Sequence, residues 1–129
     1  MQTQVKKPVF ENDYTLPGNS MQAFRHDGHV LLRDVLDEES IKAVAASVRD
    51  AVRVHNTEGR KIEERDTYGK AFLQTTNLWE VSDSVKRFTL SKRFARIAAQ
   101  LLGVEKVRLY HDQALFKEPG GGHTPWHQD

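Results

Sequence analysis

The chain has 129 residues, 38% hydrophobic and 29% charged, with no cysteine and a formal net charge of +1. That length and composition suit one globular domain of ordinary size. The near-balanced charge removes the electrostatic argument for nucleic acid or an anionic membrane as the main partner, and the lack of cysteine excludes a disulfide framework, a thiolate zinc site and a cysteine nucleophile within this sequence.

Taken in chain order, residues 1–19 are polar and broken by Pro8, Pro17, Gly18 and Asn19, which predicts a flexible arm rather than a core element. The first residues lack the apolar stretch of a secretory signal, and no later run approaches the ~18 apolar residues of a membrane span, so a cytoplasmic location is expected. A short helix is predicted over Met21 to Asp27, stopped at Gly28. His29 to Arg33 reads as a short strand whose three consecutive apolar residues suggest burial on both faces.

The clearest helix begins after Asp37, whose carboxylate can accept from unpaired backbone N–H groups. Glu38 and Glu39 put negative charge in the first turn, and Ile41, Val44, Ala45, Val48 and Val52 form an apolar stripe. Arg60 to Thr67 reads as a solvated loop, Tyr68 to Thr76 as extended, and Ser82 to Leu90 as a short helical piece. Another helix is predicted from an N-cap at Ser91, through Phe94, Ile97, Ala98, Leu101 and Leu102, to a stop at Gly103.

Val104 to Lys117 is rich in β-branched and aromatic residues and predicts one long strand. Its inward face would carry Val107, Leu109, His111, Gln113, Leu115 and Lys117. A lysine beside a glutamine on such a face is odd for a plain core and suits an anionic ligand. A glycine- and proline-rich loop, 118–125, then leads to an extended Trp126-His127-Gln128-Asp129, with Trp126 and Trp79 read as packing residues.

His127 and Asp129 are two apart, so on an extended backbone both side chains point to one side. An imidazole nitrogen and a carboxylate oxygen could then share one ion at about 2.0–2.2 Å. Two histidines and a carboxylate make the facial triad of non-haem Fe(II) oxygenases, and this triplet supplies two of the three. A bare His-x-Asp is also a common surface pair. His111 or His123 could in principle complete a triad within the chain, though His123 reads as a solvated loop residue and His111 as a hydrogen-bonded inner one.

The stretch Arg108-Leu109-Tyr110-His111-Asp112-Gln113-Ala114-Leu115-Phe116-Lys117-Glu118-Pro119-Gly120-Gly121, ending Thr124-Pro125-Trp126-His127-Gln128-Asp129, resembles the phytanoyl-CoA dioxygenase family. Phe24-x-x-x-Gly28-x-Val30 and Asn77-Leu78-Trp79 are similar to its upstream pattern. The resemblance implies an α+β chain forming the N-terminal part of a double-stranded β-helix, a cupin-like jelly roll with flanking helices, over residues 20–129. It also implies Fe(II) as metal, with 2-oxoglutarate and molecular oxygen as cosubstrates. His127 and Asp129 match the first two metal ligands; Gln113 and Lys117 match the cosubstrate pocket, and Gln74 falls near a further position of it. A carboxylate at Asp129 favours hydroxylation, because related halogenases have a small residue there.

The family pattern also needs a second histidine and an arginine downstream of the His-x-Asp. The expectation is therefore the N-terminal half of a dioxygenase that hydroxylates a small-molecule metabolite, with no nucleic-acid or membrane partner. The alternative from another class is a catalytically silent binding module built on an incomplete oxygenase fold, self-associating through open strand edges. The basic residues Lys86, Arg87, Lys92, Arg93 and Arg96 could attract a phosphorylated or acyl-CoA substrate, or simply make a solvated helix face.

Overall fold

The computed structural model describes residues 10–127. It is a mixed helix-and-strand structure with six α-helices and a two-stranded antiparallel sheet among the described residues. Helix α1, Ser20–Asp27, ends at Gly28, which takes the left-handed conformation at φ 76°. That conformation is costly for residues with a Cβ.

Helix α2, Glu38–His55, is the longest element. Asp37 starts it by accepting from the Ser40 backbone N–H at 2.7 Å. Its apolar stripe divides. Ala51 and Val52 are buried and Val48 packs beside them, while Ile41 remains exposed. Downstream, a 3-10 turn at Ile62–Glu64 leads into α3, Thr67–Ala71, which is capped by Asp66 through the Gly69 N–H. Then come β1, Leu73–Thr76; α4, Leu78–Val81; α5, Asp83–Thr89; α6, Lys92–Leu102; and β2, Gln113–Phe116.

The core is small. Ala51, Val52, Leu78 and Val85 are buried together, with Val48, Leu73, Ala114 and Phe116 against them. Thus α2, α4 and α5 cover one face of the sheet. A second apolar cluster stacks Phe10, Phe88 and Phe94 edge to face, with ring centroids 5.7 and 4.9 Å apart. Here the stretch before α1 meets the body of the molecule: Phe10 is buried, and its carbonyl accepts from the Arg93 N–H.

Three sequence expectations are corrected. His29 to Arg33 forms no strand, and Leu31 is 73% exposed, because no neighbouring strand pairs with this segment among the described residues. Val104 to Lys117 is not one long strand. Only its last third, Gln113–Phe116, is paired, since β1 offers four partners, and strand propensity without a partner leaves backbone groups to solvent. Tyr68 to Thr76 is extended only in its second half; Asp66 caps the first half into α3. The two strands seen here do not by themselves make a double-stranded β-helix.

Candidate metal and cosubstrate site

The register of the sheet decides which side chains meet. Leu73 stands opposite Phe116, Gln74 opposite Leu115, Thr75 opposite Ala114 and Thr76 opposite Gln113. Directly paired residues share a face, and faces alternate along each strand. Leu73, Thr75, Ala114 and Phe116 therefore face the helices. Gln74, Thr76, Gln113 and Leu115 occupy the other face, and Lys117, one residue beyond β2, continues it.

So the face read as inward is the one the helices leave open: Gln113 and Lys117 are exposed, and Leu115 is 46% exposed. The helices select Ala114 and Phe116 instead, because α2, α4 and α5 bring their apolar residues to that side. The same register brings the three residues read as cosubstrate-binding, Gln74, Gln113 and Lys117, onto one face of one two-stranded sheet. Asn56, the residue closing α2, steadies β1 by donating to the Gln74 carbonyl at 3.2 Å and the Thr75 hydroxyl at 2.7 Å.

Lys117 is held. Its ammonium lies 4.4 Å from the Phe72 ring centroid and donates to the Ala71 carbonyl at 2.9 Å and the Gly122 carbonyl at 2.8 Å. An ammonium has three N–H bonds, and these contacts use two. Lys117 therefore presents its charge at a fixed place beside the sheet's open face, neither buried in a core nor trailing into water.

Beyond Lys117 the chain turns back on α3. The Gly121 N–H bonds the Glu118 carbonyl at 3.0 Å, and the Gly122 N–H bonds the Lys70 carbonyl at 2.8 Å. A Cβ at Gly121 would lie 2.9 Å from both the Glu118 and Lys70 carbonyl oxygens, so this approach requires glycine. The loop then delivers His127, an exposed residue whose Nδ1 is 2.9 Å from the Pro125 carbonyl. A carbonyl can only accept, so this contact needs a proton on Nδ1. Metal-ligating imidazoles are commonly anchored in this way, by one nitrogen bonded to a backbone oxygen. In this respect His127 fits a metal. Asp129 lies outside the described residues.

Among the described residues, no group of three or more histidine, aspartate or glutamate side chains is arranged to hold a metal. His111 is exposed and set edge-on to Tyr110, with ring centroids 4.7 Å apart, and His123 is exposed in the loop. Trp126, read as a packing residue, is fully exposed, whereas Trp79 is half-buried.

The basic residues of α6 are largely spoken for. Arg93 donates to the carbonyls of Asn12 at 2.9 Å and Val35 at 2.8 Å; Arg96 pairs with Asp13, and Lys92 approaches Glu11 at 3.6 Å. They fasten residues 11–13 and 35 to α6.

Two residues important to this region escaped the sequence reading. Arg65, assigned to a solvated loop, is buried and pairs with Glu118. Asp112 accepts from the Leu78 and Trp79 backbone N–H groups at 2.9 and 2.8 Å, tying the entry of β2 to the start of α4. Both act across tens of residues, where no local spacing marks them. Asn77, just before α4, takes the left-handed conformation and makes no side-chain cap bond, so Asp112 supplies the acceptors instead.

A family model for phytanoyl-CoA dioxygenase matches residues 24–129 of the chain. No curated protein and no solved structure matches it. No helix among the described residues is long and apolar enough to cross a membrane.

Proposed function

The chain belongs to the phytanoyl-CoA dioxygenase family, and from that premise we propose that it serves an Fe(II)- and 2-oxoglutarate-dependent hydroxylation of a small metabolite. When bound, the metal and 2-oxoglutarate supply activation of molecular oxygen, chemistry that no side chain can provide. The chain's own residues bind and orient. His127 would be a ligand to the metal through its imidazole, whose Nδ1 lies 2.9 Å from the Pro125 carbonyl. Asp129, two residues on in the sequence, would add a carboxylate and reduce the charge of the ion it shares.

The observation that carries this reading is the sheet register, which gathers Gln74, Gln113 and Lys117 on the face the helices do not cover. Amide N–H groups and an ammonium are donors suited to carboxylate oxygens, and 2-oxoglutarate has two carboxylates. Holding Lys117 against Phe72 and two carbonyls removes the entropy otherwise lost when a long side chain is ordered on binding. In this proposal the open face is the inner wall of the cupin-like barrel, and β1 and β2 are two of its strands.

The test is Fe(II)-dependent formation of succinate from 2-oxoglutarate under air, compared with His127→Ala and Lys117→Met. Loss of a metal ligand is expected to abolish turnover. Loss of the ammonium is expected to raise the 2-oxoglutarate concentration needed by ~10-fold or more, in keeping with a charge-assisted contact of roughly 1.5–3 kcal/mol. Turnover that is independent of Fe(II), or unchanged in His127→Ala, would sink the proposal.

A further inference from the structure

We infer that Arg65 is a positioning residue for the candidate metal site: its buried pair with Glu118 sets the direction in which the chain leaves β2 towards His127. The inference rests on the reading of His127 as a metal ligand, and it adds a residue that the sheet face and the His-x-Asp triplet do not contain.

Arg65 follows the 3-10 turn, and its side chain is only 7% exposed. The guanidinium joins three separate segments. Nε donates to the Arg60 carbonyl at 3.2 Å, Nη1 reaches the Gly69 carbonyl at 3.5 Å at the start of α3, and Nη1 also pairs with the Glu118 carboxylate. The rigid planar fork holds its Nε and Nη1 donors at fixed directions towards these acceptors. Glu118 is adjacent to Lys117 and opens the glycine-rich loop.

The pair acts on a loop already shaped to dock on α3. Gly122 bonds the Lys70 carbonyl, Lys117 bridges the Ala71 and Gly122 carbonyls, and Gly121 lies too close to backbone oxygens for any Cβ. These contacts are neutral or half-exposed. The Arg65–Glu118 pair is the one among them with a desolvated charge, so separating it leaves a buried cation without its partner. The pair thereby makes one exit direction from β2 strongly preferred, and with it the side of the sheet on which His127 arrives.

The experiment compares wild type with Glu118→Ala, Glu118→Gln and Arg65→Met, by amide hydrogen exchange and by Co(II) titration as a spectroscopic stand-in for the ferrous ion. In Glu118→Ala, exchange at Gly121 and Gly122 is expected to rise at least ~10-fold while α2 keeps its protection, and the Co(II) dissociation constant to rise ~10- to 100-fold, as for lost support of a metal ligand. Glu118→Gln retains an acceptor and is expected to fall between. A merely structural role would not weaken Co(II) binding in protein whose α2 remains protected. Arg65→Met is interpreted only if α2 protection survives; otherwise the Glu118 variants decide. Unchanged loop exchange in Glu118→Ala overturns the inference, as does raised exchange with unchanged Co(II) affinity. If wild type itself takes up no Co(II), the metal-site reading fails, and loop exchange alone decides whether the pair positions the loop.

Discussion

Asp37 closes the start of α2 by accepting from the Ser40 N–H at 2.7 Å, and two glutamates follow it where the helix dipole favours negative charge. Asp37→Ala is expected to lower stability by about 1 kcal/mol, read from denaturant unfolding as a shifted midpoint with an unchanged slope. Glu58 shows the same economy in a loop. Its carboxylate accepts from Nε of Arg60 at 3.0 Å, from Nη2 at 2.7 Å and from the Arg60 backbone N–H at 2.9 Å, which hold its pKa down at about 2. An acid whose folded pKa is depressed stabilises the fold above its ordinary value near 4.5, and that contribution is lost as pH falls towards 2. A carboxyl-carbon NMR titration is expected to place the Glu58 midpoint near 2; a midpoint near 4.5 would mean that Arg60 does not hold it.

At the scale of elements, the helices were legible where a cap, an apolar period or a glycine stop marked them: α1, α2 and α6 begin or end at Gly28, Asp37, Ser91 and Gly103. The strands were not, because a strand's length is set by what lies beside it. Val104 to Asp112 has strand-like composition, yet β1 offers partners only to Gln113–Phe116. Nor could alternation say which face the helices would cover. Leu78 is the pivot of that packing, 1% exposed between α2 and the sheet. Leu78→Ala is expected to cost about 2–5 kcal/mol, a large part of a small domain's stability, and a loss under 1 kcal/mol would contradict the core described here. Asp112→Ala removes the acceptor for two backbone N–H groups of α4 and is expected to cost about 1–3 kcal/mol, measured in the same way.

For the molecule as a whole, the candidate site's residues Gln113, Lys117 and His127 were named from the sequence alone. What joins them was hidden, because Arg65 and Glu118 are 53 residues apart and Gln74 and Gln113 meet only through the sheet register. Helices and sheet leave one face open, and the loop after Lys117 leads on to the imidazole of His127. The account stands on that imidazole holding iron. Its most direct test is an anaerobic Fe(II) titration of wild type and His127→Ala, with and without 2-oxoglutarate. Saturable uptake of one ion per chain is expected, tightened by 2-oxoglutarate and weakened at least ~10-fold in His127→Ala, as for loss of a ligand-set contact. Equal Fe(II) affinity in the two proteins would contradict the account.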